Sequence, residues 1–241
     1  MQQLDRKYLV VNGVPRAFVY DPEADSLAEC LRRIGLTGTK IGCGTGVCGA
    51  CSIILNGKLV RSCTRKMKSV PDYAAVTTIE GIGTPDHLHP IQQAFITCGA
   101  IQCGFCTPGF IVATYALLTE NPSPTREEVR QWFNKNRNIC RCTGYKQIVD
   151  AVMAAAKVMR GEATIEEITY KSEGEDVYGS SMPRPTAAAK ACGLFDYGDD
   201  IIKQMPKSTV QLAIVQSEVA HANIISIDTS EAEKMPASSR C

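Results

Sequence analysis

Cysteine placement constrains this chain more than any other feature of its 241 residues. Twelve cysteines occur, and eight of them fall into two compact sets. Cys43, Cys48, Cys51 and Cys63 form the first set; Cys103, Cys106, Cys140 and Cys142 form the second. Cys30, Cys98, Cys192 and Cys241 stand apart. A secreted protein this rich in cysteine would use them as a disulfide framework, but the polar stretch 1–7 lacks the apolar core of a secretion signal. The cytoplasm is therefore the expected compartment, with the thiols used as metal ligands. No apolar run reaches the ~18 residues that suggest a membrane span. The formal net charge of +1, with both signs interspersed, argues against a nucleic-acid surface. Eight ligating thiolates and two diferric, sulfide-bridged cores would move that charge to roughly −3.

The first 84 residues predict a small α+β unit. Tyr8 to Val11 and Val14 to Tyr20 read as strands around Asn12-Gly13, a strong hairpin signal. The signal recurs at Asn56-Gly57, between Ser52-Ile53-Ile54-Leu55 and Lys58-Leu59-Val60. Ser26 and Glu29 make a capping box before a helix with Leu27, Cys30, Leu31 and Ile34 on one face, and Gly35 ends it. Val76 to Ile79 adds a closing strand. Two hairpins embracing a helix describe a β-grasp arrangement. Residues 85–161 then turn helical. Ile91, Ala94, Phe95 and Cys98 share a face, a second helix follows Pro108, Thr125 and Glu128 cap a third, and Ile148, Val149, Val152, Met153 and Ala156 line a fourth. Four such helices make a bundle. Residues 162–185 read as a linker, and 186–241 as a partial α/β segment with a strand-like run at Val210 to Val215.

Cys43-x4-Cys48-x2-Cys51, with Cys63 beyond, has the spacing of plant-type [2Fe–2S] ligation. Three thiolates must wrap a diiron core from one tight loop while a fourth arrives from a neighbouring strand. Four glycines between Gly42 and Cys51 let backbone N–H groups turn toward the sulfurs. Zinc takes two short cysteine pairs more readily than three cysteines in one loop. Cys103-x2-Cys106 and Cys140-x-Cys142 sit at two helix junctions that a bundle would bring together. By spacing alone this second set fits zinc nearly as well as iron.

Gln102-Cys103-Gly104-Phe105-Cys106-Thr107-Pro108-Gly109-Phe110 and Cys140-Arg141-Cys142-Thr143-Gly144-Tyr145 resemble the two signature segments of the molybdenum hydroxylase (xanthine oxidase) family. The loop from Gly42 to Cys51 resembles the ferredoxin-like domain that precedes them in those enzymes. The resemblance runs over residues 7–160 and keeps all eight cysteines in order. It implies a plant-type ferredoxin-like domain, a four-helix-bundle [2Fe–2S] domain and two [2Fe–2S] clusters. It places Gln102 and Cys142 beside a molybdopterin cofactor contacted only in the complete enzyme. The implied electron route runs from molybdenum through the bundle cluster and the ferredoxin-like cluster to an external acceptor such as a ferredoxin or flavodoxin.

Pro183-Arg184-Pro185-Thr186, Gly193 to Tyr197, and Ala220 to Ile224 resemble the start of the family's molybdenum region. No flavin segment precedes them, a layout similar to the flavin-free aldehyde oxidoreductases of anaerobic bacteria. The family pattern breaks off after Met235-Pro236, and its catalytic glutamate has no counterpart here. The expected function is thus the iron–sulfur part of such an enzyme, with a molybdenum-binding chain or C-terminal region as partner and a homo-oligomer as the complete form. The alternatives are a small subunit of a xanthine, N-heterocycle or CO-type enzyme, or a free-standing two-cluster carrier. Cys30 and Cys98 read as core packing. Cys192 has no partner at metal spacing, and Cys241 reads as an incidental thiol. His87, His89 and His221 read as structural, and Arg141 as either solvated or balancing cluster charge. Phe105, Phe110 and Ile139 are expected in an apolar patch around the second set.

Overall fold

The computed structural model describes residues 4–171, 178–202, 205–206, 208–210 and 214–234. The chain forms two compact units, Met1–Asp196 and Tyr197–Cys241. The first is an α+β unit built on one five-stranded sheet. Strands β1 (Asp5–Val11) and β2 (Val14–Tyr20) pair antiparallel, as do β3 (Ser52–Leu55) and β4 (Lys58–Arg61). Both turns put Asn-Gly at positive φ, 51° and 78° at Asn12 and Gly13, and 48° and 76° at Asn56 and Gly57. That is the twist-matched hairpin turn, and Asn tolerates its first position better than most residues.

The two asparagines also recruit the last strand, β5 (Ala74–Thr77). Asn12 Oδ1 accepts from the Thr78 N–H and Asn56 Oδ1 from the Ala75 N–H, at 2.9 and 2.8 Å. The order is β2-β1-β5-β3-β4, with β5 parallel to β1 and antiparallel to β3. Helix α1 (Leu27–Arg33) starts at the predicted capping box, where Glu29 Oε2 accepts from the Ser26 N–H at 2.7 Å. It buries Leu27, Cys30 and Leu31 with Leu9, Phe18, Ile53 and Val76.

Helices α2 (Pro90–Thr97), α3 (Thr107–Glu120), α4 (Arg126–Lys135) and α5 (Tyr145–Met159) enclose a second core of Phe95, Phe110, Ile111, Val129, Phe133 and Val152. The cores meet across β3. Ile53 belongs to the first and its neighbour Ile54 to the second, because successive strand side chains point to opposite faces. Burial on both faces explains the unbroken apolar run of that strand.

Two expectations change in the later chain. The stretch read as a linker holds a short capped helix, α6 (Ile165–Ile168), and α7 (Ala187–Ala191) lies within the first unit. The boundary falls at 196/197, not at 185/186, because 187–195 is anchored from below. Fully buried Gln92 donates to the Ala191 carbonyl at 3.2 Å, and Lys40, 1% exposed, donates to the Phe195 carbonyl at 3.2 Å. The second unit contains α8 (Gly198–Ile201) and α9 (Ser230–Glu233) and no strand among the described residues. Part of the expected 210–215 strand lies outside the described residues. Among those residues, no helix is long and apolar enough to cross a membrane.

Replacing Ser26 by Ala removes the cap while leaving the apolar face of α1 intact. The expected cost is about 1 kcal/mol, read as a thermal midpoint lower by about 2–4 °C in circular dichroism. An unchanged midpoint would mean that tertiary packing alone sets the start of α1.

Candidate metal centres

The loop between α1 and β3 carries three cysteines of the first set. Positive φ at Gly44 and Gly46, 67° and 77°, turns the Thr45 and Val47 N–H groups onto Cys43 Sγ, each at 3.4 Å. Burial raises the Cys43 thiol, but hydrogen bonds from Thr45, Val47 and Cys48 outweigh it, and the pKa is lowered to about 6. Cys63 arrives on the turn after β4, held there by Ser62. The Ser62 N–H and Oγ both donate to the Cys51 carbonyl, at 3.2 and 2.7 Å, and the Cys63 N–H approaches Cys51 Sγ at 3.5 Å. Burial and then the adjacent Cys51 thiol push Cys63 up to about 12. The thiols thus meet in pairs, Cys43 with Cys48 and Cys51 with Cys63.

The second set assembles from two helix junctions, Cys103 and Cys106 before α3, Cys140 and Cys142 before α5. Here Cys142 interacts with both Cys103 and Cys140, and Cys106 with Cys140, so the four thiols are gathered in one group. Burial, then the Cys140 thiol, pushes Cys106 far above the ordinary thiol range. Hydrogen bonds from the Cys103 backbone and side chain lower Cys142, with help from the charge of Arg184. The Cys140 N–H donates to Tyr145 Oη at 2.9 Å. Gln102 lies over this set: a Cβ at Gly144 would stand 3.1 Å from Gln102 Nε2 and 3.8 Å from Cys140 Sγ.

The two sets are joined directly. The Ile139 N–H, next to Cys140, donates to the Cys48 carbonyl at 3.0 Å. Buried Asn138 donates from Nδ2 toward the carbonyls of Gly49 and Gly109, at 3.4 and 3.5 Å. A Cβ at Gly49 would lie 2.7 Å from Asn138 Nδ2, and one at Gly109 would lie 3.0 Å from Ala50 Cα, so only glycine permits the approach. Sequence reasoning did not identify Asn138, Gly49 or Gly109 as contacts. The one available hint was a polar asparagine beside a cysteine set that needed no further ligand.

The expected apolar patch is corrected at one position. Phe110 is 1% exposed because its ring packs edge-on against Phe133 at 4.8 Å, while Ile139 is 48% exposed. Phe105 is half-buried, its ring 3.4 Å from a Cβ position on Gly42. Cys30 is in the core and Cys192 is buried, both pushed up to about 11 chiefly by burial. Cys98 is half-buried at the end of α2, and Cys241 lies outside the described residues. His89 caps α2, accepting from the Ile91 N–H. His221 and Arg141 are exposed.

Among the described residues, no three His, Cys, Asp or Glu side chains converge on the position of one metal ion.

Residues 9–75 match the family described as "2Fe-2S iron-sulfur cluster binding domain", and residues 78–153 match the "[2Fe-2S] binding domain". The chain is 53% identical over 233 residues to aldehyde oxidoreductase of Megalodesulfovibrio gigas, covering 96% of this chain and 26% of that protein. It thus spans about a quarter of that relative's length. It is 45% identical over 146 residues to the nicotine 6-hydroxylase small subunit of Paenarthrobacter nicotinovorans, covering 60% of this chain and 86% of that subunit. Among solved structures, aldehyde oxidoreductase from Desulfovibrio desulfuricans superposes with a TM-score of 0.85 at 56% identity, over 96% of this chain and 26% of that one.

Gly49→Ala tests the junction between the sets. The substitution forces a side chain into φ 67° and against Asn138. It should destabilise by more than about 1 kcal/mol in urea unfolding and speed hydrogen exchange at the Ile139 amide. Wild-type stability together with a protected Ile139 amide would show that the contact tolerates a methyl group.

Proposed function

The chain belongs to the molybdenum hydroxylase (xanthine oxidase) family as its iron–sulfur, electron-transferring region, and from that premise we propose how its residues do the work. Cys43, Cys48, Cys51 and Cys63 hold one [2Fe–2S] cluster in a β-grasp domain, residues 1–84. Cys103, Cys106, Cys140 and Cys142 hold the other in a four-helix-bundle domain, residues 85–161. Each cluster supplies one-electron redox chemistry. The observation that carries this reading is the gathering of four thiols within each set, with the sets joined by the hydrogen bond from Ile139 to Cys48. That bond completes a short path of covalent links and one N–H···O contact from Cys140 to Cys48. Gly42, Gly44, Thr45 and Val47 are exposed, which suits the first set as the exit toward an external acceptor.

Gln102 and Cys142 face a molybdopterin cofactor held by the remainder of the enzyme or by a partner chain. Gln102 orients that cofactor through its amide and does not bind iron. The whole enzyme is an aldehyde oxidoreductase, cytoplasmic and homo-oligomeric, that passes electrons to a ferredoxin or flavodoxin. The aldehyde class is favoured because the 53% identity extends over 96% of this chain, well beyond the two cysteine domains.

Reconstituted protein should be brown, with about four irons and four acid-labile sulfides per chain, as two four-thiolate sites require. Cys48→Ser should remove one of two EPR signals of the reduced protein and leave the other. Stoichiometric zinc without visible absorption, or loss of both signals in a folded variant, would refute the assignment.

Gln102→Ala should leave both signals intact and lower molybdopterin retention or cluster reduction rate in the assembled enzyme. The expected loss corresponds to one buried hydrogen bond, ~1–3 kcal/mol. Unchanged cofactor content and unchanged reduction kinetics would leave Gln102 with no role beyond packing on Gly144.

A further inference from the structure

The turn that carries Cys140 and Cys142 closes on itself. The Cys140 carbonyl accepts from the Thr143 N–H at 3.1 Å, and the Cys140 N–H donates to Tyr145 Oη at 2.9 Å. Thr143 adopts φ 57°, left-handed backbone that a β-branched residue rarely enters. The bend it makes lets the first side chain of α5 reach back five residues along the chain. Cys140 is 5% exposed, so its N–H depends on this partner rather than on water.

Packing does not account for the hydroxyl. The Tyr145 ring stands edge-on to buried Phe110 with centroids 6.5 Å apart, a contact that phenylalanine would make equally well. Gly144 is the N-cap of α5 and no side chain caps that helix, so the phenol has no part in starting it. Elsewhere around the cysteine sets, backbone N–H groups turn to sulfur. Those of Thr45 and Val47 face Cys43, that of Cys63 faces Cys51, and that of Phe105 faces Cys103. The Cys140 N–H goes to oxygen instead.

We propose that Tyr145 is a positioning residue that sets the reduction potential of the second site by taking the Cys140 N–H for its phenol oxygen. The inference rests on the iron–sulfur reading of the eight cysteines. Reduction adds one negative charge to the site and breaks no bond. N–H groups aimed at sulfur stabilise that charge and raise the potential. An N–H held by a phenol oxygen contributes less, and the lone pairs of that oxygen face the same ligand. Tyr145 thus keeps the second site at a lower potential than its backbone alone would give, the direction that favours passage of electrons to the first set.

The test is a redox titration followed by EPR on the iron-reconstituted 241-residue chain, with the signal that persists in Cys48→Ser assigned to the second set. Tyr145→Phe keeps the ring and removes the oxygen. It should make the second site easier to reduce by about tenfold in the reduced-to-oxidised ratio, ~59 mV for one electron, and leave the first-set signal where it was. Thr143→Gly relieves the left-handed backbone, keeps the phenol, and should move neither signal. Should Tyr145→Phe not retain iron at its second set, 3-fluorotyrosine at position 145 keeps the ring and weakens the oxygen as acceptor. Its shift should then have the same sign and be smaller. An unshifted second signal in an iron-loaded variant, a shift toward harder reduction, or an equal shift in Thr143→Gly would overturn the role of Tyr145 and leave the cluster reading intact. A reconstituted wild-type chain with no EPR signal on reduction would sink the cluster reading, and this inference with it.

Discussion

The backbone hydrogen bond from Ile139 to Cys48 is the constraint on which the rest of the arrangement depends. It forms only if two loops that start some ninety residues apart in sequence approach to backbone contact. Side chains would prevent that approach, so glycine stands at positions 49 and 109, and Asn138 fills the gap by donating to both carbonyls. The sheet then cannot drift from the helices. Ile54 on one face of β3 and the Ile139 contact on the cysteine loop tie the two cores into a single unit.

Gathering thiols in this way has an electrostatic consequence. Four thiolates in contact would repel, and burial penalises each charge further. Neighbouring thiols therefore separate in character. Cys43 is lowered by N–H donors aimed at its sulfur, while Cys63 is raised by burial and by Cys51. In the second set Cys142 is lowered and Cys106 raised.

Local signals in the sequence were legible because they are self-contained. Asn12-Gly13 and Asn56-Gly57 formed the hairpin turns, and Ser26 with Glu29 and Thr125 with Glu128 formed capping boxes at the expected places. The grouping of the cysteines was legible because the first set shares one loop and the second stands at two helix junctions that the bundle brings together. What stayed hidden depends on partners far away in the chain. Nothing near Asn12 announces that its side chain also holds Thr78, and nothing near Phe110 announces that Phe133 covers it. The linker boundary was misplaced for the same reason, since low periodicity in 162–185 gives no hint of Gln92 waiting in α2.

That last contact bears on how the iron–sulfur unit ends. Gly38 and Gly193 are in backbone contact, each leaving no space for a Cβ on the other. Glu80 accepts from the Gly38 N–H at 2.9 Å, Gln92 holds Ala191, and Lys40 reaches Phe195, whose ring also lies 4.7 Å from Lys190 Nζ. A lysine with 1% exposure is costly to bury unless polar groups surround it, so the Phe195 carbonyl and the fold around Lys40 are mutually dependent. On the way to this anchor the chain passes Arg184, whose charge acts on Cys142. Residues 191–195 are therefore tied to α2 and to the loop after α1 by buried contacts.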